Sequence, residues 1–290
     1  MSINRNLAVL GLFTAALLPM SARSQEADSA LRHIQQTKAL TVGFRENAAP
    51  FAYLDQSRKP AGYSIEICSQ IAQDVGKKLK IDRLEVKYVP VTPQTRIALI
   101  ANGTIDIECG TTVNSLARQQ QVDFTYPVAL AEGKMLVRKS STIHELTDLA
   151  GKIVAVASGT SAERYVKSAL DKAKINARIL PVRDNGEGLL AVSSQRADAF
   201  VNDAVLLGGA VNAAPNKADF AIVGKAQSFE QVAFMVGKNN SGLMTVANGT
   251  IARMLASGQM RKLYERWITP YGVPIDGEVE ALFEIEMIEE

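Results

Sequence analysis

From residue 40 onward the chain alternates strand-like and helix-like segments, and this alternation restricts it to an α/β architecture with mostly parallel sheets. Residues 40–44 read as a strand. Residues 64–79 read as a helix because Cys68, Ile71, Ala72, Val75 and Leu79 recur at three- and four-residue spacing. Leu84, Val86 and Tyr88 alternate with Glu85 and Lys87 as a half-buried strand does, and Pro93 suits the first turn of a helix running to Ala101. Residues 105–109 form the next strand, and Ser115 is placed to cap a short helix through Gln121. An extended apolar segment, 127–139, leads into a second set of units: 142–149, a strand at 153–157, a helix at 162–173, a strand at 178–182, a helix at 185–194 and a strand at 199–201. A return crossing at 231–236 and helices at 243–255 and 259–267 bring the chain back. The expected organisation is a first lobe of residues 38–133 plus 232–275, a second lobe of 134–231, and an acidic tail, 276–290, read as a solvated helix or frayed end. Two crossings make a two-strand hinge with a cleft between the lobes.

In open α/β sheets, ligands bind beyond the carboxyl ends of the strands, which singles out a small set of residues. Arg45 follows the first strand, Arg96 opens a helix, Thr111 and Thr112 follow the strand at 105–109, and Arg118 lies one turn into the next helix. Ser158, Gly159, Thr160 and Ser161 follow the strand at 153–157, and Asp203 follows that at 199–201. Taken singly, each has a plainer explanation: a solvated arginine, an N-capping hydroxyl, a capping aspartate. Together, three arginines, several hydroxyls and a free helix N-terminus suit carboxylates, with one acid placed to meet an ammonium.

At the amino end Arg5 precedes the apolar run Leu7–Met20, and the small residues Ser21, Ala22 and Ser24 follow it, the pattern of a signal peptide (1–24) cleaved near Ser24. The run is shorter than the roughly 20 residues a membrane span needs. A net charge of +2, from 32 basic and 30 acidic residues, offers no footprint for nucleic acid. The chain has two cysteines, Cys68 and Cys109, and in an exported protein an even count favours one disulfide over two free, buried thiols. With His33 and His144 as the only histidines, neither a histidine-based metal site nor a Ser-His-acid triad is indicated, and no phosphate-binding loop or dinucleotide fingerprint is present. No cofactor or metal is expected, and nothing argues against a monomer.

The sequence resembles the family 3 periplasmic solute-binding proteins, and within them the glutamate/aspartate-binding branch, over roughly residues 38–270. The likeness is carried by Val42-Gly43-Phe44-Arg45-Glu46, Pro50-Phe51-Ala52-Tyr53, Gly62-Tyr63-Ser64, the Arg96 helix, the run from Asn102 to Thr112, Arg118-Gln119, Asp123-Phe124-Thr125 and Ser158-Gly159-Thr160-Ser161. The resemblance implies a two-lobed, hinged periplasmic protein that delivers an amino acid to an ABC permease and is not an enzyme, although a few dehydratases share the fold. It assigns Arg118, Thr111 and Ser161 to the ligand's α-carboxylate, Asp203 to its ammonium, and Arg45 and Arg96 to a side-chain carboxylate. It also places Cys68 and Cys109 in one lobe, helix against strand end. Two positions depart from the branch: Pro93 stands where relatives carry serine, and Asn185 where they carry histidine. Both fall on the specificity side, so an amide or another polar amino acid is the alternative ligand.

Overall fold

The computed structural model describes residues 29–225 and 229–285. The expected signal peptide and its cleavage point lie outside the described residues. Twelve strands are described: β1 (Ala39–Phe44), β2 (Asn47–Ala48), β3 (Ala52–Leu54), β4 (Pro60–Ala61), β5 (Glu85–Pro90), β6 (Ile107–Glu108), β7 (Val122–Arg138), β8 (Ile153–Ala157), β9 (Arg178–Val182), β10 (Ala199–Asp203), β11 (Phe220–Val223) and β12 (Phe229–Gly237). The helices are α1 (Ser29–Thr37), α2 (Tyr63–Leu79), α3 (Arg96–Ala101), α4 (Leu116–Gln119), α5 (Ser161–Ala173), α6 (Asn185–Ser193), α7 (Ala204–Asn212), α8 (Ser241–Ala256), α9 (Gln259–Trp267) and α10 (Gly277–Ile285). None of the described helices is long and apolar enough to cross a membrane.

The main sheet runs β5-β1-β6-β12-β7-β10-β8-β9, with β11 also on β7. Parallel strands sit at its two ends: β1 pairs with β5 and β6, and β8 with β9 and β10. Antiparallel β7 and β12 join them, so the sheet is mixed at its centre and parallel on either side. β7 is 17 residues long and serves both halves, pairing with β12 along its first part and with β10 and β11 along its second.

Each half has its own apolar core. On one side Leu40 and Val42 of β1 meet Ile67, Ile71 and Val75 of α2, with Phe234 of β12, Ile251 of α8 and Tyr264 of α9. On the other, Val154 and Val156 of β8 and Val201 of β10 pack on Val166 and Leu170 of α5, while Leu136, Ala155, Phe200 and Val192 form a layer on the opposite face. Two separate cores joined through a strand pair give two lobes.

Several expectations require correction. Helix α3 begins at Arg96 and not at Pro93. Residues 93–95 form a turn closed by Thr92 and Thr95, each hydroxyl accepting from the other's backbone N–H at 3.0 and 3.2 Å. Ser115 occupies the N-cap position of α4 but makes no side-chain cap, and its buried Oγ has no partner. Residues 142–149, expected as the first regular unit of the second lobe, form a loop and a single 3-10 turn, which Asp148 closes by accepting from the His144 backbone N–H. The described part of the acidic tail is a helix, as one of the two readings had it, but it is packed and not solvated. Val279, Leu282 and Phe283 of α10 are buried, and Phe283 meets Tyr264 edge-on at 5.4 Å between ring centroids.

Cys68 on α2 and Cys109, immediately after β6, form a disulfide with a Cα–Cα distance of 6.2 Å across a separation of 41 residues. Closing such a loop stabilises by about 3–4 kcal/mol in the chain-entropy account. It ties the principal helix of one lobe to the strand end that carries the loop at 110–114. Reduction under native conditions is expected to lower the melting temperature by roughly 10 °C, as read by circular dichroism. A shift below about 2 °C would show that the link contributes little to stability.

Candidate functional site

The strand ends meet in the cleft between the two lobes. From one lobe come Arg45, just past β1; Arg96, at the start of α3; Thr111 and Val113, in the loop after β6; and Arg118, on α4. From the other come Thr160 and Ser161, at the start of α5; Asn202 and Asp203, at the end of β10; and Leu206, on α7. The cavity left between them is only about 10 Å³, far below the size of a small-molecule pocket, so the lobes must part to admit a solute. Among the described residues no cluster of His, Cys, Asp and Glu is arranged to hold a metal ion.

All three arginines are at most 3% exposed. Arg118 Nη1 donates to the Val113 carbonyl at 2.7 Å, and Nη2 crosses the cleft to the Gly159 carbonyl at 3.0 Å. Its Nε has no partner in the protein, nor do Arg45 Nη2, Arg96 Nε and Arg96 Nη1. An unpaired buried donor costs about 1–3 kcal/mol, and more when charged, so this cluster is built for an anionic partner. Burial and the neighbouring Arg96 bring Arg45 down to about 10, against the raising effect of Glu108, Asp184 and Asp203. Arg118 falls to about 9 through burial, Arg96 and Arg164.

Asp203 precedes α7 but its side chain makes no cap there, so the carboxylate is free to face the cleft. Burial, with a smaller contribution from Glu230, pushes it up to about 7 despite the three arginines. The capping role at α5 belongs to Thr160, whose hydroxyl accepts from the Glu163 N–H at 3.2 Å; Ser161 is the first helical residue and is 8% exposed. Gly159 allows the lobes to meet. It has φ +80°, and a Cβ there would lie 2.9 Å from the Pro93 carbonyl oxygen across the cleft. Pro93 thus contributes a backbone surface for closure.

Asn185 is not brought into the cluster. Its Nδ2 donates to the Asn47 carbonyl at 2.9 Å, across the lobes, and its Oδ1 accepts from Asn202 Nδ2 at 2.7 Å. Both ends of the amide are committed within the protein. Asn202, which sequence reasoning passed over, reaches the pocket in its place, and Asn202 Oδ1 accepts from the Asp203 N–H at 3.0 Å. Its position directly before Asp203 at a strand end was the available signal. A second omission is Glu108, fully buried on β6 and not among the residues that line the pocket.

Two halves of one α/β fold converging arginines, hydroxyls and one aspartate on a closed cleft define a solute-binding protein. The pattern of the bacterial extracellular solute-binding proteins, family 3, matches residues 40–270, and the chain belongs to that family. It is 37% identical over 256 residues to the L-glutamate/L-aspartate-binding protein of Pseudomonas aeruginosa, covering 88% of this chain and 85% of the relative. It is 36% identical over 259 residues to the glutamate/aspartate import solute-binding protein of Salmonella typhimurium, covering 89% and 85%. Among solved structures, a reconstructed ancestral amino acid-binding protein, a precursor of cyclohexadienyl dehydratase, superposes with a TM-score of 0.73 at 28% identity, over 83% of this chain and 100% of that one.

The displaced Asp203 has a consequence for stability. Its folded pKa lies above the unfolded value of 3.8, so between about pH 4 and pH 7 the folded protein holds a proton that the unfolded chain has released. Stability from this group is therefore full below pH 4 and is lost as pH rises through 7, by on the order of 4 kcal/mol. In urea titrations of ligand-free protein, Asp203→Asn is expected to remove that loss and to be the more stable form at pH 8. Parallel pH profiles for the two proteins would contradict the assignment.

Proposed function

We propose that the protein captures L-glutamate or L-aspartate in the periplasm and, by closing its lobes, presents it to the permease of an ABC importer. The observation that carries this reading is the convergence of three buried guanidiniums with unsatisfied N–H groups on a cleft that also holds one acid at a strand end. Arg118, Thr111 and the start of α5 at Ser161 suit an α-carboxylate, and Asp203 suits an ammonium. Arg45 and Arg96 then remain for a second carboxylate, which a neutral amino acid lacks. The named relatives bind or import glutamate and aspartate, which supports the same ligand class here.

Asn185 serves this site indirectly, since it fixes Asn202 beside Asp203 and latches onto Asn47 of the opposite lobe. Closure follows from ligand contacts made by both lobes: a solute that bridges Arg118 and Asp203 binds the closed form better than the open one. The chemistry is that of a binding protein. Its groups neutralise and orient charge, and the reading assigns no residue to a bond-making step.

Calorimetric titration of ligand-free protein tests it. Glutamate or aspartate is expected to bind more tightly than the other standard amino acids. Arg118→Ala should lose at least about a hundredfold in affinity, and Arg45→Ala and Arg96→Ala about ten- to a hundredfold toward glutamate, with glutamine little changed. Unaltered glutamate affinity in Arg96→Ala, or a preference for an amide, would overturn the acidic assignment.

A further inference from the structure

Asn185, at the start of α6, belongs to a chain of amides that runs from the end of β10 across the cleft to β2. The Asp203 backbone N–H donates to Asn202 Oδ1 at 3.0 Å, Asn202 Nδ2 donates to Asn185 Oδ1 at 2.7 Å, and Asn185 Nδ2 donates to the Asn47 carbonyl at 2.9 Å. Both ends of the chain are backbone groups of fixed character, a donor at Asp203 and an acceptor at Asn47. Neither side-chain amide can therefore be turned over without setting oxygen against oxygen or N–H against N–H. Asn185 and Asn202 are each 3% exposed, so water does not replace a lost partner in the closed form.

Asn47 grips the start of α6 a second time. Its Nδ2 donates at 3.3 Å to Asp184 Oδ2, while Asp184 Oδ1 caps the helix by accepting from the Glu187 N–H at 3.0 Å. Arg183 Nε reaches the same Oδ2 at 3.1 Å. Two residues on, the Ala49 carbonyl lies so close to Gly209 of α7 that a Cβ there would have no room. The segment 47–49 is thus the seat on which the second lobe closes. Opening the cleft separates Asn185 from Asn47 and leaves the remainder of the chain, from Asn185 through Asn202 to Asp203, within one lobe.

We propose that Asn185 is a positioning residue that governs the release of the ligand and not its choice: on closure it ties the strand end carrying Asp203 to the opposite lobe. The proposal rests on the ligand reading of the preceding subsection, in which Asp203 takes the ammonium. Glutamate and aspartate both carry that ammonium, and they differ only in the reach of the side-chain carboxylate. A residue that acts through Asp203 and closure affects the two alike, whereas one that meets the side-chain carboxylate separates them. Asn185→Ala removes both side-chain bonds, and closing then buries Asn202 Nδ2 without an acceptor, a cost the open form does not bear. The closed form is the one that loses, so ligand leaves sooner while its entry into the open cleft is unchanged.

The experiment measures L-glutamate and L-aspartate affinity by calorimetry, and glutamate dissociation by chase of bound radiolabelled ligand, in wild type and Asn185→Ala, each first shown to be folded by circular dichroism. Asn185→Ala is expected to release glutamate about tenfold faster or more. Its association rate, and its ratio of glutamate to aspartate affinity, are expected to stay within about twofold of wild type. An unchanged dissociation rate, or a loss carried by slower association, would show a merely structural role and overturn the proposal. A ratio shifted beyond twofold would make Asn185 a reader of the side chain and overturn it as well. If Asn185→Ala does not fold, Asn47→Ala, which removes only the bond to Asp184 from an exposed position on β2, is expected to speed release by about two- to fivefold at an unchanged ratio. No acceleration there overturns it. Wild type that binds neither amino acid refutes the functional reading on its own, whereas wild type that releases glutamate no more slowly than the variants refutes only the role of Asn185.

Discussion

Three guanidiniums buried in one cleft repel one another and have lost much of their water, and the rest of the structure can be understood as what makes that arrangement tolerable. Arg45, Arg96 and Arg118 arrive from different segments, after β1, at the start of α3 and on α4, so no single turn has to carry the repulsion. Arg45 and Arg96 are carried by β1 and α3, which bury apolar residues of their own, whereas α4 buries only Arg118, which the Val113 and Gly159 carbonyls hold. Asp203 supplies opposite charge from the facing lobe. What the protein leaves unpaired, Arg45 Nη2, Arg96 Nε and Nη1, and Arg118 Nε, is the donor set a carboxylate ligand would satisfy.

The same cluster is linked to the hinge. The loop after β6 carries Thr111 and Thr112, and it is bound to β12 through Ala233 N–H to the Thr112 carbonyl at 3.0 Å and Asn114 N–H to the Gln231 carbonyl at 2.9 Å. β12 is also where the pairing with β7 shifts register, between Val232 and Ala233 and again before Met235, and Thr125 Oγ1 accepts the Phe234 N–H at that irregularity. Ligand loop and crossing strand therefore share backbone hydrogen bonds, and a change at one is felt at the other. On the far side of the cleft, Gly159 touches Pro93 through backbone atoms alone, so closure there depends on the absence of a side chain.

Much of this was legible in the sequence. β8, β9 and α9 fall on the residues their periodicity indicates, and the strand-end rule brought Arg45, Arg96, Thr111, Arg118, Ser161 and Asp203 to one pocket. The omissions have physical causes. Helix α7, AVLLGGAVN, shows no amphipathic stripe because it is buried against both lobes: Val205 and Leu206 face one core, Leu207 the other, and Gly209 sits tight against the Ala49 carbonyl. α10 looked like an acidic tail because its three buried residues are spread among glutamates. Glu108 was hidden because a lone acid in an apolar strand reads as a solvated edge, and only the tertiary structure buries it. Asn185 lies at the right depth in the second lobe, but its amide is consumed by Asn47 and Asn202, a partnership that spans the cleft and has no local signature.

The account stands most directly on how a dicarboxylic amino acid lies in the cleft, and a crystal structure of the protein grown with L-glutamate measures that. The account predicts the α-carboxylate on Arg118 and the start of α5, the ammonium on Asp203, and the side-chain carboxylate between Arg45 and Arg96. Glutamate bound with its side chain away from Arg45 and Arg96, or outside the cleft, would contradict it.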